Sequence, residues 1–267
     1  MDTLSKHGAD APPLFFEAEA AGLAWLAEAE ADGGARIVRV AGVGPGHIEL
    51  ERIREARPTA EAARAFGAGL ARTHAAGAAA FGSAPDGWDG PIFIGRRPLP
   101  IAHEGSWGRF YARDRVRPYV DIAVEAGTVT AGQLPVIERA IERIEAGAFD
   151  DDEPPARIHG DLWTGNVLWS EGGAVLIDPA AHGGHRETDL AMLDLFGVPF
   201  FEEIAAGYND THPLRDGWRA RIPLHQLHPL AVHAAGHGPS YGIALAEAAR
   251  ATLELEEGPV RPRTQAG

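Results

Sequence analysis

Cysteine is absent from the 267 residues, which excludes disulfides and thiolate metal sites. Long apolar runs are missing too, and no stretch approaches the roughly 20 residues that a membrane span requires. The opening residues, Met1-Asp2-Thr3-Leu4-Ser5-Lys6, carry neither the basic nor the apolar region of a signal peptide. A cytoplasmic protein without membrane partners is the expectation. Positive charge is scarce: 24 Lys and Arg face 38 Asp and Glu, for a net charge of −14. That balance argues against a general nucleic-acid binder, because phosphate backbones demand a cationic surface. The acidity reads as a solubility feature. What remains, 45% apolar and 23% charged residues, is ordinary globular composition, long enough for one large domain or two lobes.

Residues 3–6 read as the end of a short strand delivering Lys6. Between Pro12 and Ala31, Phe15, Phe16, Leu23, Trp25 and Leu26 recur near a helical period, and Gly33-Gly34 stops the helix. Residues 37–40 and 47–53 read as two strands. The cluster Gly42-Val43-Gly44-Pro45-Gly46 between them resembles a phosphate cradle, but such a loop must open a helix, and here a strand follows. It reads as a hairpin turn. Helical patterns resume over 59–76 and end at Gly77. A loop-rich stretch runs from Phe81 to Trp107, with helices expected over 108–126 and 130–147. The run Asp150-Asp151-Asp152-Glu153 lacks the glycine spacing of a calcium loop and reads as a solvated connector. From Asp178 to about Glu256 the chain reads as entirely helical, followed by a Pro/Arg/Gly tail expected to fray.

The chemistry is concentrated in His159-Gly160-Asp161-Leu162-Trp163-Thr164-Gly165-Asn166 and, after a predicted hairpin turning at Glu171-Gly172-Gly173, Ile177-Asp178-Pro179-Ala180. The hairpin holds Asn166 and Asp178 at its two open ends, where both can reach one ion. A carboxylate, an asparagine five residues on and a strand-ending aspartate form the layout of a kinase. There the first carboxylate orients the attacking hydroxyl, and the other two side chains give oxygens to the magnesium ions on ATP. The alternative, a loop whose Asp and Asn merely cap turns, does not account for the third residue.

These motifs, with Gly184-His185-Arg186-Glu187-Thr188-Asp189-Leu190-Ala191-Met192 and the Leu195-Phe196-Gly197 that follows, resemble the fructosamine kinase (ketosamine 3-kinase) family, a branch of the aminoglycoside-phosphotransferase and choline-kinase-like fold. The likeness runs from Lys6 to the helices around Tyr241. It implies an α+β, protein-kinase-like, two-lobed fold: a truncated N-terminal lobe over residues 1–53 and a mainly helical lobe over 54–267. It also implies an ATP- and Mg²⁺-dependent kinase that phosphorylates a hydroxyl, O3 by expectation, of a ketosamine, for deglycation. The acceptor would be a small molecule or a glycated lysine on a protein.

By the same resemblance Asp161 is the catalytic base, and Asn166 and Asp178 hold magnesium. Lys6 and Glu19 form the lysine–glutamate pair at the phosphates, and the strand carrying Glu49 and Glu51 is the hinge that holds adenine. Trp163, His185, Glu187 and Trp107 line the acceptor side, while His159 and Asp189 support the catalytic loop. For Arg186 and Glu187 an internal ion pair stands as an equal alternative. Full members of the family have two strands and a phosphate-covering loop before the lysine, where this sequence has five residues. His182-Gly183-Gly184-His185 also departs from the tyrosines usual there. His225, His228, His233 and His237 raise a zinc-site reading, against which the family suggests core or surface histidines. Two other functions stay open: a kinase of the same fold acting on an aminoglycoside or amino alcohol, and a non-catalytic nucleotide-binding protein.

Overall fold

The computed structural model describes residues 2–256, so the frayed tail expected beyond Glu256 lies outside the described residues. The chain begins with strand β1 (Thr3–His7) and helix α1 (Phe15–Ala27), whose inward face is Phe16, Leu23, Trp25 and Leu26. A 3₁₀ turn over Glu28–Asp32 ends at Gly33 with φ +78°. Strands β2 (Arg36–Ile37), β3 (Val40–Gly44) and β4 (His47–Glu51) follow. β4 is the middle strand of an antiparallel sheet in the order β1-β4-β3. The glycine cluster is therefore a hairpin, although Gly42 and Gly44 belong to β3 itself. The strand expected over 37–40 is divided. Its first part, β2, leaves the sheet and pairs with a distant strand.

Helix α2 (Ala60–Ala75) starts at Thr59, whose hydroxyl accepts the Ala62 N–H, and the chain turns at Gly77 with φ +74°. The stretch read as loop contains a hairpin, β5 (Ile92–Ile94) with β6 (Arg97–Leu99), turning at Gly95. Helix α3 (Trp107–Phe110) runs through a π-helical turn over Tyr111–Val116 into α4 (Arg117–Glu125). That turn buries Arg115 with its guanidinium 4.5 Å from the Phe110 ring centroid. Helix α5 (Leu134–Glu145) comes next.

Strand β7 (Ala156–Ile158) leads to the motif segment, and β8 (Val167–Ser170) and β9 (Gly173–Leu176) form its hairpin. β2 joins this hairpin in parallel, Ile37 opposite Leu176. The region after Asp178 is not entirely helical, because β10 (His182–Gly184) pairs antiparallel with β7. Helices α6 (Arg186–Phe196), α7 (Phe201–Thr211), α8 (Trp218–His237) and α9 (Pro239–Glu254) complete the described chain. None of the described helices is long and apolar enough to cross a membrane.

Two apolar clusters fill the interior. One joins α1, β2, β4, α2 and the β8–β9 hairpin, and the other joins the β5–β6 hairpin, α3, α4, α5, α8 and α9. Helices α2 and α7 meet at their backbones. A Cβ on Gly67 would stand 1.9 Å from the Ile204 carbonyl oxygen, and one on Gly207 would stand 2.0 Å from that of Arg64. Gly67→Ala should therefore destabilise the fold by about 1–3 kcal/mol through overpacking, although alanine is the better helix former by about 1 kcal/mol. Urea denaturation checks this, and an unchanged or raised midpoint would contradict the backbone contact.

Candidate active site

The short β7 strand, buried throughout, delivers His159, Gly160 and Asp161 to one end of the β8–β9 hairpin. Gly160 has φ +80°, and a Cβ there would stand 2.3 Å from the Ala180 carbonyl oxygen, so the turn into Asp161 admits only glycine. Asp189, buried on α6, accepts the N–H of His159 at 2.7 Å and that of Gly160 at 3.0 Å. Its carboxylate also faces His74 Nε2 at 3.1 Å, and the other ring nitrogen of His74 meets the Tyr208 hydroxyl at 2.8 Å. The His159 Nε2 lies 2.8 Å from the Ile177 carbonyl oxygen, while Nδ1 lies 3.3 Å from the Asp161 N–H. A carbonyl only accepts, so these partners assign a neutral ring with its proton on Nε2. Burial, which lowers the pKa of His159, favours the same state.

Asn166 closes a 3₁₀ turn, and its Nδ2 donates to the Asp161 carbonyl oxygen at 2.8 Å. Its amide oxygen is left for another partner. Asp178 follows β9 with φ +54°, in the left-handed region. Its carboxylate contacts Lys6 Nζ, which also donates to Glu19 at 2.9 Å. The structure thus brings Lys6, Glu19, Asp161, Trp163, Asn166 and Asp178 to one cavity of about 350 Å³. Burial, then the charges of Asp178 and Asp189, push the Asp161 carboxyl up to about 7 against the hydrogen bond from Asn166. For Lys6, burial works to lower the pKa, but the carboxylates of Glu19 and Asp178 outweigh it and hold the ammonium above its usual range. Burial raises Glu19, with Asp178 adding to it and Lys6 opposing. An asparagine oxygen and carboxylates, with one carboxyl raised by burial and then by neighbouring negative charge, suit a hard divalent cation held through oxygen.

Other expected site residues lie elsewhere. Glu49 pairs with Ser5 on one side and Gly42 on the other, and the Glu51 N–H bonds the Arg39 carbonyl oxygen at 2.8 Å. A middle strand has both edges occupied, so the backbone of Glu49 and Glu51 is unavailable to a base; the Glu51 carboxylate meets Arg36 at 2.7 Å. Trp107, His185 and Glu187 are buried and do not line the cavity. They belong to a polar cluster inside the C-terminal half. Arg221 forks onto Glu187 at 2.6 and 2.9 Å, His225 lies beside it, and Trp107 packs 4.8 Å from the His225 ring. Burial alone would raise Glu187, but His225 and Arg221 hold it well below the usual carboxylate range. The equal alternative, an internal ion pair, describes Glu187 and Arg186, although Arg186 takes Glu153 as its partner.

The acidic connector is not merely solvated, since Asp151 reaches His185 and Arg215. The four helix histidines do not converge. His225 and His228 are core residues, while His233 and His237 lie against each other, and among the described residues His185, Glu187 and His225 are the group that comes together. There the guanidinium of Arg221 already occupies the cation's place on Glu187.

Nothing in the sequence singles out Arg157. Its side chain, buried on β7, donates to the Trp25 carbonyl oxygen and to Glu28 at 2.8 Å, and lies 4.4 Å from the Trp25 ring centroid. It thereby fixes the far end of the helix that carries Glu19. Arg157→Met should destabilise the fold by about 1–3 kcal/mol by taking its partner from the buried Trp25 carbonyl, measured as a lower calorimetric Tm. An unchanged Tm would remove the clamp. A second expectation comes from the buried histidines. Burial holds His182 well below 6.5, His225 at about 4 and His228 at about 3. Below pH 6.5 the unfolded chain binds protons that the folded chain refuses. Stability should therefore fall from about pH 6.5 toward 4, by about 1.4 kcal/mol per pH unit for each such histidine. Asp161 and Glu19, both raised in the folded state, oppose this, but the three histidines outnumber them and the lowered His159 adds to the same side. Urea titrations at stepped pH read the slope, and a flat or rising profile would contradict it.

Comparisons with known proteins point one way. The fructosamine kinase family model matches residues 6–254. A probable ketoamine kinase of Enterococcus faecium is 33% identical over 180 residues, and the match covers 67% of this chain but 63%, under two thirds, of that relative's length. The crystal structure of a candidate fructosamine-3-kinase from Thermobifida fusca superposes with a TM-score of 0.86 at 45% identity, covering 95% of this chain and 86% of that one. A choline/ethanolamine kinase family protein from Mesorhizobium loti has 16% identity over 95% of this chain and 83% of that one, and its TM-score of 0.55 shows the fold alone. The α+β architecture is that of the protein-kinase-like phosphotransferases.

Proposed function

The chain belongs to the fructosamine kinase family, and on that premise we propose that it moves the terminal phosphoryl group of ATP to a hydroxyl, O3, of a fructosamine or ribulosamine. The observation that carries this reading is the convergence of Asp161, Asn166, Asp178, Lys6 and Glu19 on one cavity from segments far apart in the chain. Asp161 takes the role of catalytic base, orienting the acceptor hydroxyl and accepting its proton. A buried carboxyl whose surroundings favour the protonated form is suited to receive one. Asn166 fixes the Asp161 backbone through Nδ2, and its oxygen and the Asp178 carboxylate would hold magnesium. The magnesium would supply positive charge against the phosphate oxygens. Lys6, steadied by Glu19, meets the phosphates in place of its contact with Asp178. Trp163, 40% exposed on the catalytic loop, offers a ring face to the sugar. Catalysis of this kind is positioning and charge neutralisation, with little covalent work for the protein. A phosphate on O3 destabilises the sugar–amine linkage, so the role is deglycation of small molecules or of glycated lysines.

Mass spectrometry of fructose-lysine and ribulose-lysine after incubation with MgATP tests the reading. One added phosphate is expected, with the rate reduced about 10²–10⁴-fold in Asp161→Asn. Transfer undiminished in Asp161→Asn would overturn the assignment of Asp161, and no phosphate on either adduct would overturn the acceptor class.

A further inference from the structure

The lining of the 350 Å³ cavity is segregated by chemistry. Its charged side chains form one linked group: Lys6 joined to Glu19 and Asp178, with Asp161 held by Asn166 beside them. The rest of the wall is apolar and comes from four places: α1 with Phe15 and Phe16, the β5–β6 hairpin with Ile92 and Phe93, Trp163 on the catalytic loop, and the stretch 179–181 just past Asp178. The wall is fixed in position. The rings of Phe15 and Phe93 lie 5.4 Å apart, joining α1 to the β5–β6 hairpin, and Phe16 and Phe93 are buried. Trp163 packs edge-on to Phe196 at 6.1 Å and folds over Gly165, where a Cβ would stand 2.4 Å from its ring.

We propose that this wall selects the group carried on the acceptor nitrogen: ketosamines of apolar or aromatic amines are taken, and those bearing a carboxylate beside the nitrogen are refused. The proposal rests on the kinase reading above. With the reacting hydroxyl at Asp161 and the phosphates at Lys6 and Asp178, the space left for the nitrogen substituent is bounded by the phenylalanines and Trp163. A protonated secondary amine is compatible with aromatic faces and nearby carboxylates. A carboxylate next to that amine is not. Among the described residues Lys6 is the one cation lining the cavity and already holds two carboxylates, and Arg96, beside Gly95 at the hairpin turn, is exposed to solvent. An anion there would lose water without gaining a partner.

The test uses fructose adducts of benzylamine, methylamine and glycine, with binding to the whole chain measured by isothermal titration and phosphate transfer by mass spectrometry. The benzylamine adduct should bind about tenfold more tightly than the methylamine adduct, and the glycine adduct about tenfold more weakly, the size of step an apolar pocket allows. Phe93→Ala should bring the benzylamine-to-methylamine ratio toward one. The ranking of the three adducts on the unaltered protein stands whether or not that variant folds. Phosphate transfer with equal affinities, or a glycine adduct bound as well as the methylamine one, would overturn the pocket and leave the kinase reading in place. The expected ranking without transfer would support the pocket and overturn the kinase reading. Absence of binding by all three would overturn the pocket.

Discussion

A carboxylate with 1% of its surface exposed has to find all its partners inside the protein, because an unpaired buried charge is costly. Asp189 meets that requirement with the backbone N–H groups of His159 and Gly160 and with His74, which in turn reaches Tyr208. Burial pushes Asp189 toward neutrality, and those partners reverse the shift and hold it ionised. The partners come from α2, the catalytic loop and α7, and Asp189 itself from α6, so one ion fixes three helices and the turn that presents Asp161. The backbone contact between α2 and α7 at Gly67 and Gly207 belongs to the same arrangement. It brings His74 and Tyr208 within reach of one another.

A second set of contacts fixes α1 against that frame. Glu19 holds Lys6, Gly22 sits where a Cβ would stand 3.2 Å from the Ala181 Cβ, and Arg157 grips Trp25 and Glu28. Each touches a different stretch around the catalytic segment: the lysine strand, the chain just past Asp178, and the strand just before His159. Strand β2 adds a further tie by pairing with β9 of the catalytic hairpin. The N-terminal sheet and the C-terminal helices therefore share one reference, the β7–β9 region, and the geometry of the cavity follows from it.

The polar cluster of His185, Glu187, Arg221, His225 and Asp151 shows how a motif can be shared while its side chains serve the fold. Glu187 and Arg221 are joined by a bidentate contact, the strong geometry for such a pair. Burial leaves no open face toward the cavity. The resemblance pointed to an acceptor floor there, and the structure places the apolar residues Phe15, Phe16 and Phe93 on the cavity wall instead.

The sequence by itself determined the local parts. Periodicity gave α1, α2 and α5, Gly77 and Gly33-Gly34 marked two ends, and the spacing of Asp161, Asn166 and Asp178 required a loop, a hairpin and a strand end that converge. These features depend on neighbours within a few residues, where backbone geometry and side-chain periodicity act. The short pieces were less legible. The β5–β6 hairpin, β10 and the departure of β2 from its sheet each span only two or three residues, too few for a period to show, and distant pairing sets them. Tertiary structure alone decided that Glu49 and Glu51 lie in a strand with both edges occupied, that Arg157 clamps α1, and that Glu187 faces Arg221 rather than the cavity. Each is a contact between residues far apart in the chain, and no local pattern encodes which partner a buried charge or an open backbone edge will meet.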